Sequence, residues 1–150
     1  MSILIREADE HDLQGVLRLY AQPDFDDGKV LELDEARRLL AVFRSYPNYR
    51  LFVACDDDGK GEVVGTYALL VMHNLAHHGT PSAIVEDVAV CPQRQGQGIG
   101  RRLMAHALAQ AQHAGCYKLA LSANLKRPQA HAFYHALEFK RHGISFAIET

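Results

Sequence analysis

Residues 85–104, reading VEDVAVCPQRQGQGIGRRLM, constrain the fold more than any other stretch of the chain. An apolar strand enters a turn holding Gly96, Gly98 and Gly100, and the turn opens directly into a long helix. Glycine lets backbone amides approach a ligand closely, and a helix N-terminus adds free N–H groups and about half an electron of positive charge. Arg94, Arg101 and Arg102 place full charges nearby. The combination suits a pyrophosphate. The alternative is a glycine-rich turn that binds nothing, and glycine spacing alone does not separate the two. Two other phosphate cradles are excluded. A P-loop needs GK[ST], and no lysine follows these glycines. A dinucleotide fingerprint needs GxGxxG with an acidic residue about 20 positions on, and the spacing here is GxGxG.

Around this junction the hydrophobic pattern predicts strand Ile3–Glu7, then a helix capped by Asp9 with Leu13, Val16, Leu17 and Tyr20 on one face. An irregular loop follows over Gln22–Lys29, and a second helix runs from Asp34 to before Pro47. Strands Tyr49–Cys55 and Glu62–Met72 form a hairpin around Asp56–Gly61, and strand Ala83–Val90 leads to the glycine turn. Helix to about Ala114, strand Tyr117–Ser122, helix Pro128–Leu137 and strand Gly143–Ile148 complete the order βααβββαβαβ. That is an α/β domain spanning 1–150, its mixed central β-sheet flanked by about four helices.

Formal net charge is −2, so no basic field points to nucleic acid. Cys55, Cys91 and Cys116 are odd in number and far apart, which argues for a reducing, cytoplasmic compartment and against a thiolate zinc site. No apolar run approaches about 18 residues, so no membrane span is expected. His131 and His135 stand one turn apart without a third ligand, so no metal site is expected there.

Gln95-x-x-Gly98-x-Gly100, between a strand and a helix, resembles the acetyl-CoA motif of the GNAT acetyltransferases. Asn124-x9-Phe133-Tyr134 resembles the same family's later strand–helix block, so the resemblance runs from Ile3 to Ile148. It implies that acetyl-CoA is the cosubstrate, its pyrophosphate on the amides of Gln95, Gly96, Gln97, Gly98, Ile99, Gly100 and Arg101. It implies further that Val88, Val90 and Asn124 serve the pantetheine arm. One position departs: where the family usually has glycine after the last helix, this chain has Glu138.

Acetyl transfer to an amine requires the amine neutral near pH 7, although a free alkylamine titrates near 10. Glu86 and Asp87 lie just before the expected pantetheine strand and are candidate bases. In a regular strand they point to opposite faces, so one serves unless a bulge intervenes; the alternative for each is a surface carboxylate. The resemblance makes Tyr134 the acid that protonates the departing thiolate; packing beside Phe133 is its alternative.

Residues 84–90 with 115–118 are similar to glucosamine-6-phosphate N-acetyltransferases. Residues 121–127 with 130–134, and the pair His77-His78, are similar to aminoalkylphosphonate N-acetyltransferases. The expectation is a small anionic primary amine as acceptor, attacking directly in a ternary complex. A protein acetyltransferase and a non-catalytic acyl-CoA-binding module are the alternatives, with loops 22–32 and 73–82 deciding between pocket and groove. The apolar segment 143–148 would leave an exposed strand edge in a monomer, so a homodimer built through it is expected.

Overall fold

The computed structural model describes residues 2–123 and 127–150. They divide into two compact units, Met1–Ala120 and Leu121–Thr150.

The first unit is organised by two strands that are apolar on both faces, β2 (Tyr49–Cys55) and β3 (Val63–Met72). Val53, Ala54, Cys55, Val64 and Tyr67 are fully buried, as expected of strands covered on both sides. They form the predicted antiparallel hairpin, closed by Asp57 and Asp58 in the left-handed region. β1 (Leu4–Glu7) joins β2 and β4 (Ser82–Val90) joins β3, both antiparallel. β5 (Leu119–Leu121) completes the order β1-β2-β3-β4-β5. Just before it, Tyr117 N donates to the Pro81 carbonyl and Ala83 N to that of Lys118. Those bonds ascend along both segments, the parallel sense, so the sheet is mixed.

Side chains alternate across the strands, and helices cover both sets. Leu51, Val53 and Cys55 share a core with Leu13, Val16 and Leu19 of α1 (Leu13–Tyr20) and with Ala36 and Leu40 of α2 (Leu33–Ser45). On the other face lies α3 (Ile99–His113), with Ile99, Leu103 and Ala107 buried. It approaches so closely that a Cβ on Gly65 of β3 would sit 3.0 Å from Ile99 Cγ2 and 3.1 Å from Leu103 Cδ1. Glycine there sets the distance between helix and sheet.

Asp9 caps as expected, accepting from His11 N at 2.8 Å, but it caps a short 3-10 turn, Glu10–Asp12, that leads into α1. Asp12 is buried, takes a bidentate bond from Arg6 (2.7 and 2.9 Å) and accepts from Asp9 N. Burial alone would raise the Asp12 pKa, yet the Arg6 hydrogen bond and charge outweigh it and hold the carboxyl below its ordinary value.

The second unit contains α4 (Pro128–Ala136). It ends with Phe139 N on the Tyr134 carbonyl and Glu138 N on that of His135, both at 3.0 Å, around Glu138 at φ 70. This is the helix termination that normally selects glycine, so the chain keeps the backbone turn while carrying a glutamate in it. The expected strand 143–148 is not formed: the segment has no strand assignment, and Ile144, Phe146 and Ile148 are 82%, 92% and 89% exposed. Its alternating pattern meets the side-chain requirement of a strand. A strand also needs a hydrogen-bonding neighbour, which sequence pattern cannot supply. Among the described residues no helix is long and apolar enough to cross a membrane.

Candidate active site

The glycine turn is built as an open cradle. Gly96 (φ 81) and Gly98 (φ 82) are left-handed, and Gly98 caps α3 without any side-chain hydrogen bond. A Cβ added at either glycine would meet nothing within 4 Å, so the protein leaves this space clear. The first backbone bond of the helix start runs from Arg102 N to the Gly98 carbonyl. The preceding amides of Ile99, Gly100 and Arg101 therefore have no helical acceptor, as expected of a first turn. Gln95, Gly96, Gln97 and Gly98 are exposed, whereas the Ile99 side chain is buried and leaves only its backbone for a ligand. The cradle fits a pyrophosphate.

Two of the three arginines expected to charge it are committed elsewhere. Arg94 bonds Asp56 at 2.6 and 3.0 Å, both side chains 16% exposed, and its Nε donates to Gln97 Oε1 at 2.8 Å. That clamp ties the glycine turn to the β2–β3 connection. Arg102 donates to the Ile3 carbonyl at 2.6 Å. Arg101 is exposed and has no polar partner among the described residues, so it is the arginine left for an anion.

β4 carries the bulge on which the roles of Glu86 and Asp87 depend. Thr66 pairs with Ala89 and Ala68 with Glu86, so Tyr67 alone opposes Asp87 and Val88. Asp87 sits at φ 54, a conformation non-glycine residues adopt rarely and at some energetic cost. The bulge breaks the alternation of the strand. Asp87 lines a cavity and Glu86 does not. Tyr20 donates its hydroxyl to the Asp87 carbonyl at 3.4 Å, and Gln22 donates to the Val90 carbonyl at 3.1 Å. One of the Val90 carbonyl's two acceptor positions is thus taken within the protein.

The cavity measures about 280 Å³ and lies among α1, loop 22–32, α2 and the bulge, with Leu13, Phe25, Asp26, Leu40, Phe43 and Asp87 in its wall. Burial, and then the charge of Asp26, raise the Asp87 carboxyl above its ordinary range. Burial, followed by Asp87, does the same for Glu86. Burial also raises Tyr20, with Asp87 adding to the shift. A carboxyl poised above its usual value is the type a proton acceptor near neutrality requires.

In the second unit, Tyr134 makes edge contacts with Phe133 (5.1 Å) and Phe139 (5.7 Å), and burial raises its pKa. Asn124, expected at the pantetheine arm, lies outside the described residues. His77 stacks obliquely on Tyr117 at 4.6 Å, and His73, His77 and His78 are exposed. Among the described residues no three His, Cys, Asp or Glu side chains gather as metal ligands. Sequence reasoning missed Tyr20, Gln22 and Asp26 as neighbours of the bulge. The signals available were the assignment of loop 22–32 to the acceptor side and the three aspartates within 24–27.

A family model for the acetyltransferase (GNAT) family matches residues 12–139. The chain is 35% identical over 126 residues to an aminoglycoside N(6')-acetyltransferase type 1 from Stenotrophomonas maltophilia, covering 83% of this chain and 76% of that protein. It is 37% identical over 86 residues to an aminoalkylphosphonate N-acetyltransferase from Salmonella typhimurium, covering 57% and 55%. Among solved structures, a provisionally named acetyltransferase from Agrobacterium tumefaciens superposes with a TM-score of 0.89 at 33% identity, covering 98% of this chain and 99% of that one.

Proposed function

The chain belongs to the GNAT acetyltransferase family, and we propose that it N-acetylates a small primary amine by direct attack, with Asp87 as base and Tyr134 as acid. The family uses acetyl-CoA as acetyl donor, and the open cradle over residues 95–101 fits its pyrophosphate. One observation carries the choice of acceptor type. The β4 bulge sets Asp87 in the wall of a concave, mostly apolar and partly open cavity between α1, α2 and loop 22–32, which supports a small molecule over a protein.

When bound, acetyl-CoA supplies an acetyl thioester. The amides of Gly98 to Arg101, with the Arg101 guanidinium, hold phosphate oxygens. Asp87, directly or through one water, takes a proton from the substrate ammonium and frees the nitrogen lone pair. The amine nitrogen then bonds to the acetyl carbon as the carbon–sulfur bond breaks, and Tyr134 donates a proton to the thiolate. The nitrogen's second proton passes through water to the tyrosinate, restoring the hydroxyl. The raised pKa of Tyr134 keeps that hydroxyl protonated at neutrality. Glu86, outside the cavity wall, is assigned no proton transfer. Val88 and Val90 offer backbone to the pantetheine arm, with Gln22 sharing the Val90 carbonyl.

The expectation of an anionic acceptor finds one ammonium, Lys29, in a wall that also holds two carboxylates, so we carry forward the amine and not the anion. The three free thiols support a cytoplasmic setting. The exposed apolar tail at 144–148 supports a homodimer, for which light scattering should give twice the 16.7 kDa chain mass. Asp87→Asn tests the mechanism: turnover should fall by about 10²–10⁴ while acetyl-CoA affinity stays as in wild type. Undiminished turnover would remove Asp87 from the chemistry.

A further inference from the structure

The cavity beside Asp87 has two chemistries in one wall. Of its 15 lining residues, 11 carry hydrocarbon side chains, from Leu13 and Val16 on α1 to Leu39, Leu40 and Phe43 on α2. Its charged residues are Asp26, Asp87 and Lys29, two carboxylates against one ammonium. Lys29 makes no ion pair with either carboxylate among the described residues. Asp26 acts electrostatically on Asp87, so their charges share one region, which an incoming cation would relieve.

The hydrocarbon wall decides what can be attached to that cation. Away from Lys29 and Tyr20, a sugar hydroxyl or a phosphoryl oxygen placed among the leucines and phenylalanines would lose its water without gaining a hydrogen bond. An anionic group would meet two carboxylates. A hydrocarbon body loses nothing by entering and gains from leaving water. The cavity of about 280 Å³ is open to solvent over part of its boundary, so its wall selects the chemistry of the bound body rather than a strict upper size.

Resting on the amine-acetylation reading above, we propose that the acceptor is a small primary amine with an aliphatic or arylalkyl body. Asp87 and Asp26 seat its ammonium, and Leu17, Phe25, Leu39 and Phe43 line the face that takes its hydrocarbon. Selectivity then comes from apolar burial and net negative charge, and amines bearing phosphate, phosphonate or several hydroxyls are disfavoured.

The test is thiol release from acetyl-CoA by the full chain across a homologous series, propylamine to hexylamine with phenethylamine. Glucosamine 6-phosphate, 2-aminoethylphosphonate, kanamycin and a lysine peptide form the comparison set. The expected result is kcat/KM rising about four-fold per added methylene until the cavity fills, with the comparison amines below hexylamine. Asp26→Asn should raise KM for hexylamine several-fold. A comparison amine as best substrate, or a flat alkyl series, would overturn the apolar acceptor while leaving amine acetylation intact. Bound acetyl-CoA with no amine of either set turned over would overturn the underlying reading instead. An unchanged hexylamine KM in Asp26→Asn would reject the two-carboxylate seat.

Discussion

Gly98→Ala separates what the glycine turn does for the fold from what it does for acetyl-CoA. Gly98 lies at φ 82 and ψ 9, where an L-residue costs about 1–2 kcal/mol. Alanine also narrows the unfolded ensemble, which returns about 0.4–1 kcal/mol. The new Cβ would find no atom within 4 Å, so no clash adds to the balance. The net loss of stability is therefore about 1 kcal/mol, or a fall in Tm of roughly 2–4 °C for a chain of this size. The cradle reading puts the phosphate in the cleared space that this Cβ would enter. Displacing one or two amide–phosphate bonds, each worth about 1.5–3 kcal/mol, should weaken acetyl-CoA by about 100-fold. A thermal melt and a calorimetric titration on one preparation read both quantities. Acetyl-CoA affinity within two-fold of wild type would refute the cradle. A stability loss above about 3 kcal/mol would show that the space is not open.

Three other substitutions probe separate parts of the molecule. Asp12→Ala removes the acceptor for Asp9 N and the carboxylate partner of Arg6, which keeps the Gly59 carbonyl, and should destabilise by about 2 kcal/mol in urea melts at pH 7. Because the Asp12 pKa is depressed, the gap from wild type should hold above the unfolded value near 3.9 and shrink as pH falls through the folded one. Asp87 is raised, so kcat/KM should fall with acid along a limb lying above the ordinary carboxylate range, and Asp87→Asn should abolish that limb. The same shift means that ionised Asp87 adds no stability at neutrality, its favourable contribution being lost as pH rises through the raised pKa. Asp87→Asn should accordingly melt no lower than wild type at pH 7, a clean separation of activity from folding. Tyr134→Phe keeps the ring contacts with Phe133 and Phe139 and removes the acid, so kcat should drop by about 10²–10⁴ with Tm unchanged; unchanged kcat on a chemistry-limited substrate would assign the tyrosine to packing.

Local pattern carried most of the scaffold. β2 was legible to its exact ends because an apolar run between a proline and an aspartate turn has few other solutions. The glycine junction was legible because left-handed backbone and an uncapped helix start leave a mark in composition. What escaped depends on partners distant in sequence. The bulge at Asp87 arises from register against β3, and nothing in residues 82–90 alone announces it. Arg94 reads as a phosphate ligand until Asp56, 38 positions earlier, is seen to hold it. Segment 143–148 carries a strand's alternation, yet a strand exists only with a neighbour. Glu138 shows the converse: an unfavourable residue can be carried by a helix end whose other hydrogen bonds are made.

Incubation of the chain with acetyl-CoA and pooled small primary amines, with free thiol and N-acetylated product quantified together, tests the N-acetyltransferase assignment most directly. Catalysis of amine acetylation predicts equal amounts of thiol and N-acetyl amine, both lost in Gly98→Asp. Thiol release without acetylated amine, or tight acetyl-CoA binding with neither product, would contradict it.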